Sequence, residues 1–462
     1  MKSSKIPQTI GECLPADRCW EYNRFACRRP ISVAGQDERC PPMSISRIAA
    51  TGIATTCLLS LLSAAAPTQS QPSWPSWRGP NRDGKCPETG LLTAWPEGGP
   101  KLLWSIDRIG RGWSAPIIAG GLLYITGDVG DELCIFAYRP GREPKLEWKT
   151  TNGRSWKRPY SGARSSCTYD NGKLYHMNAH GRVVCLDAAS GKTIWTVDTF
   201  KRFGAKEIRW GHSECLLIDG KRLIVTPGGT KAMIAALDKK TGRTIWASKP
   251  LDKDAACYAS PILFACGGMR HLVSFSENQA FGVNADSGEI LWSRPRPTRY
   301  KVIATPAVYH DGKVFVTSPD GKPAEQYSLT VSGGKVSVKQ TWTSELNCLS
   351  GGVIHSGGRL YGSGYRKGDG WFCIDFATGR TLYTKRDLNS GSVILADGLL
   401  YCFSERGEMA LLKPTDKGFE TKGRFRRVGA KTKDSWAHPV ICNGRLYLRY
   451  HDTLWCHDIR GR

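Results

Sequence analysis

The chain reads CLDAASGKTIW over residues 185–195, and this segment decides the fold because copies of it recur along the chain. In each copy an Asp or Asn stands eight residues before an aromatic residue, and a small residue precedes the Asp or Asn by two positions. Repetition of one pattern indicates an architecture of stacked units. The further copies read ALDKKTGRTIW over 236–246, GVNADSGEILW over 282–292 and CIDFATGRTLY over 373–383.

A second signature precedes the first and marks a hairpin. It reads NGKLY over 171–175 and DGKVF over 311–315, and Asn-Gly and Asp-Gly favour two-residue turns because they tolerate positive φ. Its glycine recurs every ~45 residues, the period of a four-stranded propeller blade. These positions predict an all-β fold, an eight-bladed β-propeller of four-stranded antiparallel blades. The marker glycines are Gly121, Gly172, Gly220, Gly268, Gly312, Gly358, Gly398 and Gly444.

The two ends of the chain predict how the ring closes. The last unit stops after residues 454–458 without a fourth strand, whereas residues 101–104 resemble the missing strand. We expect this N-terminal strand to complete the last blade and remove the open edges. Units five and seven carry weak motifs, so a seven-bladed ring is also compatible with the sequence.

Small residues on the third strand of each unit are expected to leave room for an aromatic ring from a neighbouring unit. A buried indole covers ~150–250 Å², enough to join adjacent sheets. We interpret the cysteines at this position as packing residues rather than catalytic ones. They are Cys134, Cys185, Cys373 and Cys456.

The first 66 residues differ from the repeats. Residues 1–42 lack strand alternation and are interpreted as a non-native or disordered leader, and 43–66 have the order of a signal peptide: Arg47, an apolar run, then small residues. Export to the periplasm or outside the cell is expected, with a retained N-terminal anchor as the alternative. Residues 67–100 then form a lead-in, and 101–462 the propeller.

Composition limits the function classes. The net charge of +24 and 23% charged residues point to acidic partners, and the absence of C-x-x-C pairs gives no support for a zinc knuckle, a thioredoxin-like site or attached haem. No metal site is predicted. A nucleic-acid partner is not expected, because the charge is spread around a ring, no recognition motif is present, and export removes the usual target.

The repeated A-x-D…T-G-x-x-W pattern resembles the tryptophan-docking motif of the pyrroloquinoline quinone (PQQ) repeat family. That family includes quinoprotein alcohol dehydrogenases, polyvinyl-alcohol dehydrogenase-like proteins and a non-enzymatic propeller lipoprotein of outer-membrane protein assembly. The opening WRGPNRDG at 77–84 also looks like the lead-in of PQQ-like propellers. The resemblance covers residues 74–460 and is specific for the fold, because its motif residues pack blades together.

For a dehydrogenase the resemblance implies PQQ held against a disulfide between adjacent cysteines, a calcium site built from a carboxylate and an amide, and a catalytic Asp. The chain has no Cys-Cys pair, and its one neighbouring acid–amide pair in a suitable loop is Glu277–Asn278. The alternative interpretation of that pair is a solvated turn. The leading expectation therefore includes no cofactor, and PQQ with Ca²⁺ belongs to the alternative.

Candidate binding residues lie in the segments that join the fourth strand of one blade to the first strand of the next. These segments share one face of a propeller with the loops between second and third strands, and they carry most of the basic excess. Aromatic rings and planar cations there suit carboxylates, sulfates, phosphates or sugar faces; the alternative is solvated charges around rings that plug the core. The predicted residues are Trp113, Arg154, Trp156, Arg158, Arg164, Arg209, Trp210, His212, Lys301, Arg366, Trp436 and His438.

Two histidines are expected to line the axis, His212 and His438, with Glu214 and Glu405 as the nearest acids. A histidine in that place is more often a satisfied core residue than a ligand. The leading hypothesis is a non-catalytic exported propeller that binds an anionic glycan or an envelope protein partner. The alternative is a PQQ- and calcium-dependent quinoprotein alcohol dehydrogenase.

Overall fold

A computed structural model describes residues 73–366, 370–429 and 432–461. The leader and signal peptide expected at 1–66 lie outside these residues. Eight four-stranded antiparallel units follow one another along the chain, which confirms the eight-bladed propeller and excludes the seven-bladed ring. In each blade we letter the strands A to D from the inside outwards.

The first four blades are continuous in sequence. Blade 1 has strands Ile117–Ala119, Leu122–Val129, Glu132–Arg139 and Lys145–Arg154; blade 2 has Thr168–Asp170, Lys173–Met177, Arg182–Asp187 and Thr193–Asp198; blade 3 has Leu217–Asp219, Arg222–Val225, Ala235–Asp238 and Thr244–Ala247; blade 4 has Ile262–Cys266, Met269–Phe275, Gln279–Asn284 and Ile290–Pro295. One short helix, Thr199–Phe203, follows blade 2.

The later blades include the two with weak motifs, and each of those has four strands. Blade 5 has Val308–His310, Lys313–Val316, Ala324–Ser332 and Lys335–Ser344; blade 6 has Ile354–Ser356, Arg359–Ser363, Trp371–Asp375 and Thr381–Lys385; blade 7 has Gly391–Ala396, Leu399–Ser404, Glu408–Pro414 and Phe419–Arg426; blade 8 has Val440–Cys442, Arg445–Tyr450, Thr453–Asp458 and, from the N-terminal side, Leu102–Ile106.

The expected closure of the ring is confirmed. Leu102 pairs with His457, Trp104 with Cys456 and Ile106 with Leu454 in one antiparallel ladder. The lead-in also contributes a strand that the sequence did not predict. Lys85–Cys86 adds to the inner edge of blade 7, where it pairs in parallel with Leu395 and Ala396.

Most of the core lies between blades rather than at one centre. Ile117, Tyr124 and Ile135 of blade 1 form one buried cluster with Leu174 and Leu186 of blade 2. Comparable clusters fill the following junctions. The twelve cysteines of the described residues are free, and the four on strand C are fully buried, as the packing interpretation predicts.

Indole rings of the outer strands join four of the junctions through the same pair of contacts. Each ring covers the glycine in the C–D turn of the next blade, and its Nε1–H donates to a backbone oxygen there at 3.1 Å. The donors and acceptors are Trp148 to Ala188, Trp195 to Lys239, Trp246 to Ala285 and Trp342 to Phe376.

The expected role of the small strand-C residue was therefore wrong in one respect. At Gly282 the ring that needs the space is Trp292 of the same blade, directly opposite in the ladder. A methyl group added at Gly282 would lie 2.1 Å from Trp292 Nε1. The ring from the neighbouring blade rests instead on the turn glycine.

No helix in the described ranges has the length and apolar character needed to cross a bilayer.

Gly242→Ala tests the indole contact between blades 2 and 3. The new methyl group would lie 2.8 Å from Trp195 Cε3, and overpacking of this kind costs about 1–3 kcal/mol. Gly220→Ala in the same blade is the control, because its φ is also positive (+57° against +70°) but nothing lies within 4 Å of the added methyl. We expect Gly242→Ala to lose more stability in urea unfolding followed by circular dichroism; equal losses would contradict the contact.

Candidate functional site

A cavity of about 380 Å³ lies on the propeller axis. Its walls come from the connections that lead into strand A of successive blades, together with B–C loops of blades 5 and 6, so the two loop classes meet on one face as expected. Six of the predicted binding residues line it: Trp113, Arg164, Trp210, Arg366, Trp436 and His438.

Aromatic rings form most of the wall. Trp436 packs against Trp113 with ring centroids 5.4 Å apart and against Tyr160 at 5.1 Å. On the opposite side Trp210 contacts Tyr258 at 6.0 Å. Such a wall offers flat apolar faces to a ligand.

Arg164 is held rigidly within this wall. Its guanidinium lies 5.2 Å from the rings of both Trp113 and Trp156, and its N–H groups donate to the backbone oxygens of Trp210, Gly162 and Tyr160. Burial lowers the pKa of Arg164 to about 10, opposed by nearby Asp128. Arg164 therefore stays cationic at neutral pH and fixes the positions of three connections.

Three further arginines surround the mouth of the cavity and stack on its aromatic rings. Arg209 lies 4.7 Å from the Trp210 ring, Arg299 5.2 Å from the Tyr300 ring, and Arg366 4.9 Å from the Tyr365 ring. A single carboxylate, Asp320, is among the residues that line the cavity. The charge around the mouth is therefore predominantly positive.

His438 supplies a neutral polar group. Its Nε2 lies 2.9 Å from the Ser350 backbone oxygen, which can only accept, so Nε2 carries the proton and Nδ1 is the acceptor. Burial lowers the pKa of His438 to about 3, aided by Arg78. The imidazole is therefore uncharged at neutral pH.

Several buried polar atoms of this region have no hydrogen-bond partner among the described residues. They are His438 Nδ1, Trp113 Nε1, Trp436 Nε1 and Ser435 Oγ. Buried polar groups in native proteins are usually satisfied by protein or water.

Three predicted residues form a separate cluster beside the cavity. Arg154 and Arg158 both pair with Glu207, and Trp156 is buried beneath Arg164 and Arg158. These three residues therefore match the alternative interpretation given above, in which solvated loop charges surround an aromatic ring that fills the core.

Three predicted polar groups also lie away from the cavity wall. His212 is buried against Phe200 at 4.6 Å, and Lys301 pairs with Glu277 at 2.9 Å. Asn278 turns its amide nitrogen toward Asp254 at 2.7 Å. His212, Glu277, Asn278 and His438 therefore do not converge on one cavity.

The residues present do not fit the PQQ and calcium set that the resemblance implies. The acid–amide pair Glu277–Asn278 is used by Lys301 and Asp254, and no group of three or more metal-ligating side chains occurs among the described residues. We assign no step of a reaction to that cofactor.

Of the two candidate acids, Glu405 lies near the cavity and Glu214 lies in the protein interior. Glu405 lines a small serine- and glycine-rich niche that shares Ser350 and Trp436 with the cavity. Glu214 accepts from the backbone N–H of Thr226 at 2.8 Å.

The sequence missed two residues of the aromatic wall, Trp77 of the lead-in and Tyr258 of the connection into blade 4. Tyr160, Tyr300 and Tyr365 also line the cavity, and they belong to the mixed aromatic and basic loop segments in which the sequence predicted binding residues. A usable signal was present, because most of the connections into strand A carry an aromatic residue shortly before the strand.

Comparison with known proteins agrees with the repeat pattern. A family model described as outer membrane protein assembly factor BamB matches residues 142–318. A BamB of Kangiella koreensis is 25% identical over 223 residues, 46% of this chain and 52% of that protein. The dehydrogenase subunit of a quinone alcohol dehydrogenase from Gluconobacter oxydans is 29% identical over 166 residues, 32% of this chain and 20% of the relative.

Solved structures show the same fold at lower identity. BamB from Moraxella catarrhalis aligns with a TM-score of 0.57 at 17% identity, covering 78% of this chain and all of that chain. A quinohemoprotein alcohol dehydrogenase from Comamonas testosteroni gives 0.58 at 11% identity, covering 84% and 81%. The resemblance to PQQ-like propellers is confirmed, and these relatives include both dehydrogenases and an assembly factor. The chain spans a fifth to about half of the length of the sequence relatives.

Glu214→Gln tests the charge state of the buried acid. Burial raises the pKa of Glu214 to about 8, opposed by its bonds from Thr226 and by Arg82, whereas an unfolded glutamate ionises near pH ~4.3. The folded state then holds more protons between these values, so the wild-type protein loses stability as pH rises through them. The variant lacks this loss, and its stability relative to wild type should rise from about pH 5 to about pH 8. Parallel melting temperatures across that range would contradict the assignment.

Proposed function

We propose that this protein is a non-catalytic binding propeller whose axial cavity holds an acidic sugar of an anionic glycan. The observation that carries the proposal is the combination, in one cavity, of aromatic faces and cationic guanidinium groups. Each of these matches a different part of such a ligand.

The aromatic wall suits the ring of the sugar. The apolar C–H face of a pyranose can stack on Trp210, Tyr300 or Trp436, which line the cavity. Ligand sites typically combine apolar walls with a few placed polar groups in this way.

The arginines suit the acidic group. A guanidinium can bind a carboxylate or a sulfate with two parallel hydrogen bonds, and Arg366 lines the cavity where the B–C loop of blade 6 reaches it. Arg209 and Arg299 lie on neighbouring rings at the mouth. Their joint field would raise the local concentration of an anionic ligand.

A protein partner in the cell envelope is the second candidate. It is favoured by the match of residues 142–318 to the BamB family model. This candidate requires that the protein is exported, as the sequence predicts. If no acidic glycan binds at low salt, the glycan proposal fails and this candidate is preferred.

Arg366→Ala and Tyr300→Ala test the glycan proposal. Each should weaken binding to polygalacturonate or chondroitin sulfate about tenfold or more, because the first removes the cation and the second a stacking face at the mouth. Binding is measured by surface plasmon resonance at low and high salt, with dextran as the neutral polymer.

Arg142→Ala is the matched control. Arg142 is exposed in the C–D turn of blade 1, on the opposite face, and its removal changes the net charge equally. Its binding should equal that of the wild type. An equal loss for Arg142→Ala and Arg366→Ala would show charge attraction without a site and would overturn the proposal.

A further inference from the structure

The lead-in crosses the propeller axis, because it contacts blades on opposite sides of the ring. In an eight-bladed ring blade 2 faces blade 6, and blade 3 faces blade 7. The Tyr169 N–H of blade 2 donates to the Pro75 backbone oxygen, whereas Arg78 donates to the Val353 backbone oxygen of blade 6. A chain segment with both contacts passes through the centre.

The second opposed pair of blades gives the same result. Arg82 donates to the backbone oxygens of Cys215 and Leu216 in blade 3, at 2.7 and 2.9 Å. Two residues later, the Gly84 backbone oxygen accepts from the Leu395 N–H of blade 7 at 2.8 Å. Residues 74–86, which we call the axial plug, therefore lie across the channel.

The axial plug is a built part of the core. Trp74 and Arg78 are 1% and 2% exposed, and Trp74 exchanges two backbone hydrogen bonds with Ile118, at 2.7 and 3.0 Å. Burial lowers the pKa of Arg78 to about 10, opposed by Asp83, so the Arg78 guanidinium binds backbone oxygens as a cation. If the plug moved away, this cation would lose its backbone partners.

Trp77 of the plug lines the cavity and contacts His438, with ring centroids 5.0 Å apart. The plug therefore closes the axial channel on one side of the cavity, and the connecting loops surround its mouth on the other. The volume of about 380 Å³ is at the small end of the ~300–1,000 Å³ typical of ligand sites. One or two sugar rings fill such a space.

We propose that the cavity recognises the end of an anionic glycan chain, one or two residues deep, rather than an internal segment. This inference rests on the proposed function and deepens it. A polymer that passed through the site would need two openings, and the plug occupies the place of the second. An internal segment of a chain would also present no free end to Trp77.

Oligogalacturonates of defined length test this inference, with a matching series of chondroitin sulfate oligosaccharides as the sulfated arm. Calorimetry with wild-type protein should show an affinity that reaches its plateau at about two sugar residues. The number of protein molecules bound per chain should stay the same as chains lengthen. Borohydride reduction of the oligosaccharides changes the reducing end alone and shows which end enters.

Trp77→Phe and Trp77→Ala test whether the axial plug contributes to binding of the glycan end. Both should weaken binding of the disaccharide, the alanine variant more strongly, while circular dichroism verifies folding. Affinity or stoichiometry that grows with chain length would overturn end recognition and leave the glycan proposal intact. Absence of binding at every length, polymer included, would instead reject the proposed function itself.

Discussion

The hydrogen bond from an outer-strand indole to a backbone oxygen of the following blade sets the relation between neighbouring blades. The ring lies flat on a turn glycine while its N–H reaches past that turn, so both the distance and the tilt of the next sheet are defined. Repetition of this geometry curves the row of sheets into a ring. Every connection into a strand A then lies at the same end of the axis, and the cavity forms where these connections meet.

The fold could be predicted because the residues of the repeat have specific local roles that few other residue types can fill. The turn glycines and the aromatic residue eight positions after the Asp or Asn are visible without any structure. The closure of the ring could also be predicted, because residues 101–104 supply the strand that the last unit lacks. Even the blades with weak motifs have the full set of four strands.

The site was predicted only in part, because the type of a residue does not reveal whether its side chain points into the cavity. Trp156 and Trp210 occur in similar basic loops, yet the first is buried beneath two arginines and the second lines the cavity. His212 and His438 are likewise alike in sequence, and only His438 reaches the cavity. The sequence of the axial plug shows no strand pattern. Its Arg78 and Arg82 look like solvated charges in the sequence, and only the structure shows that they donate to backbone oxygens of distant blades.

The strand that closes the ring has a consequence for biosynthesis. Leu102 is synthesised long before its ladder partner His457. Blade 8 consequently stays incomplete until Thr453–Asp458 has been synthesised, and until then it has an unpaired edge that invites association with other chains. Such a long-range contact also slows folding. Loss of Thr453–Asp458 would remove the ladder partner of Leu102–Ile106 and leave the circle open.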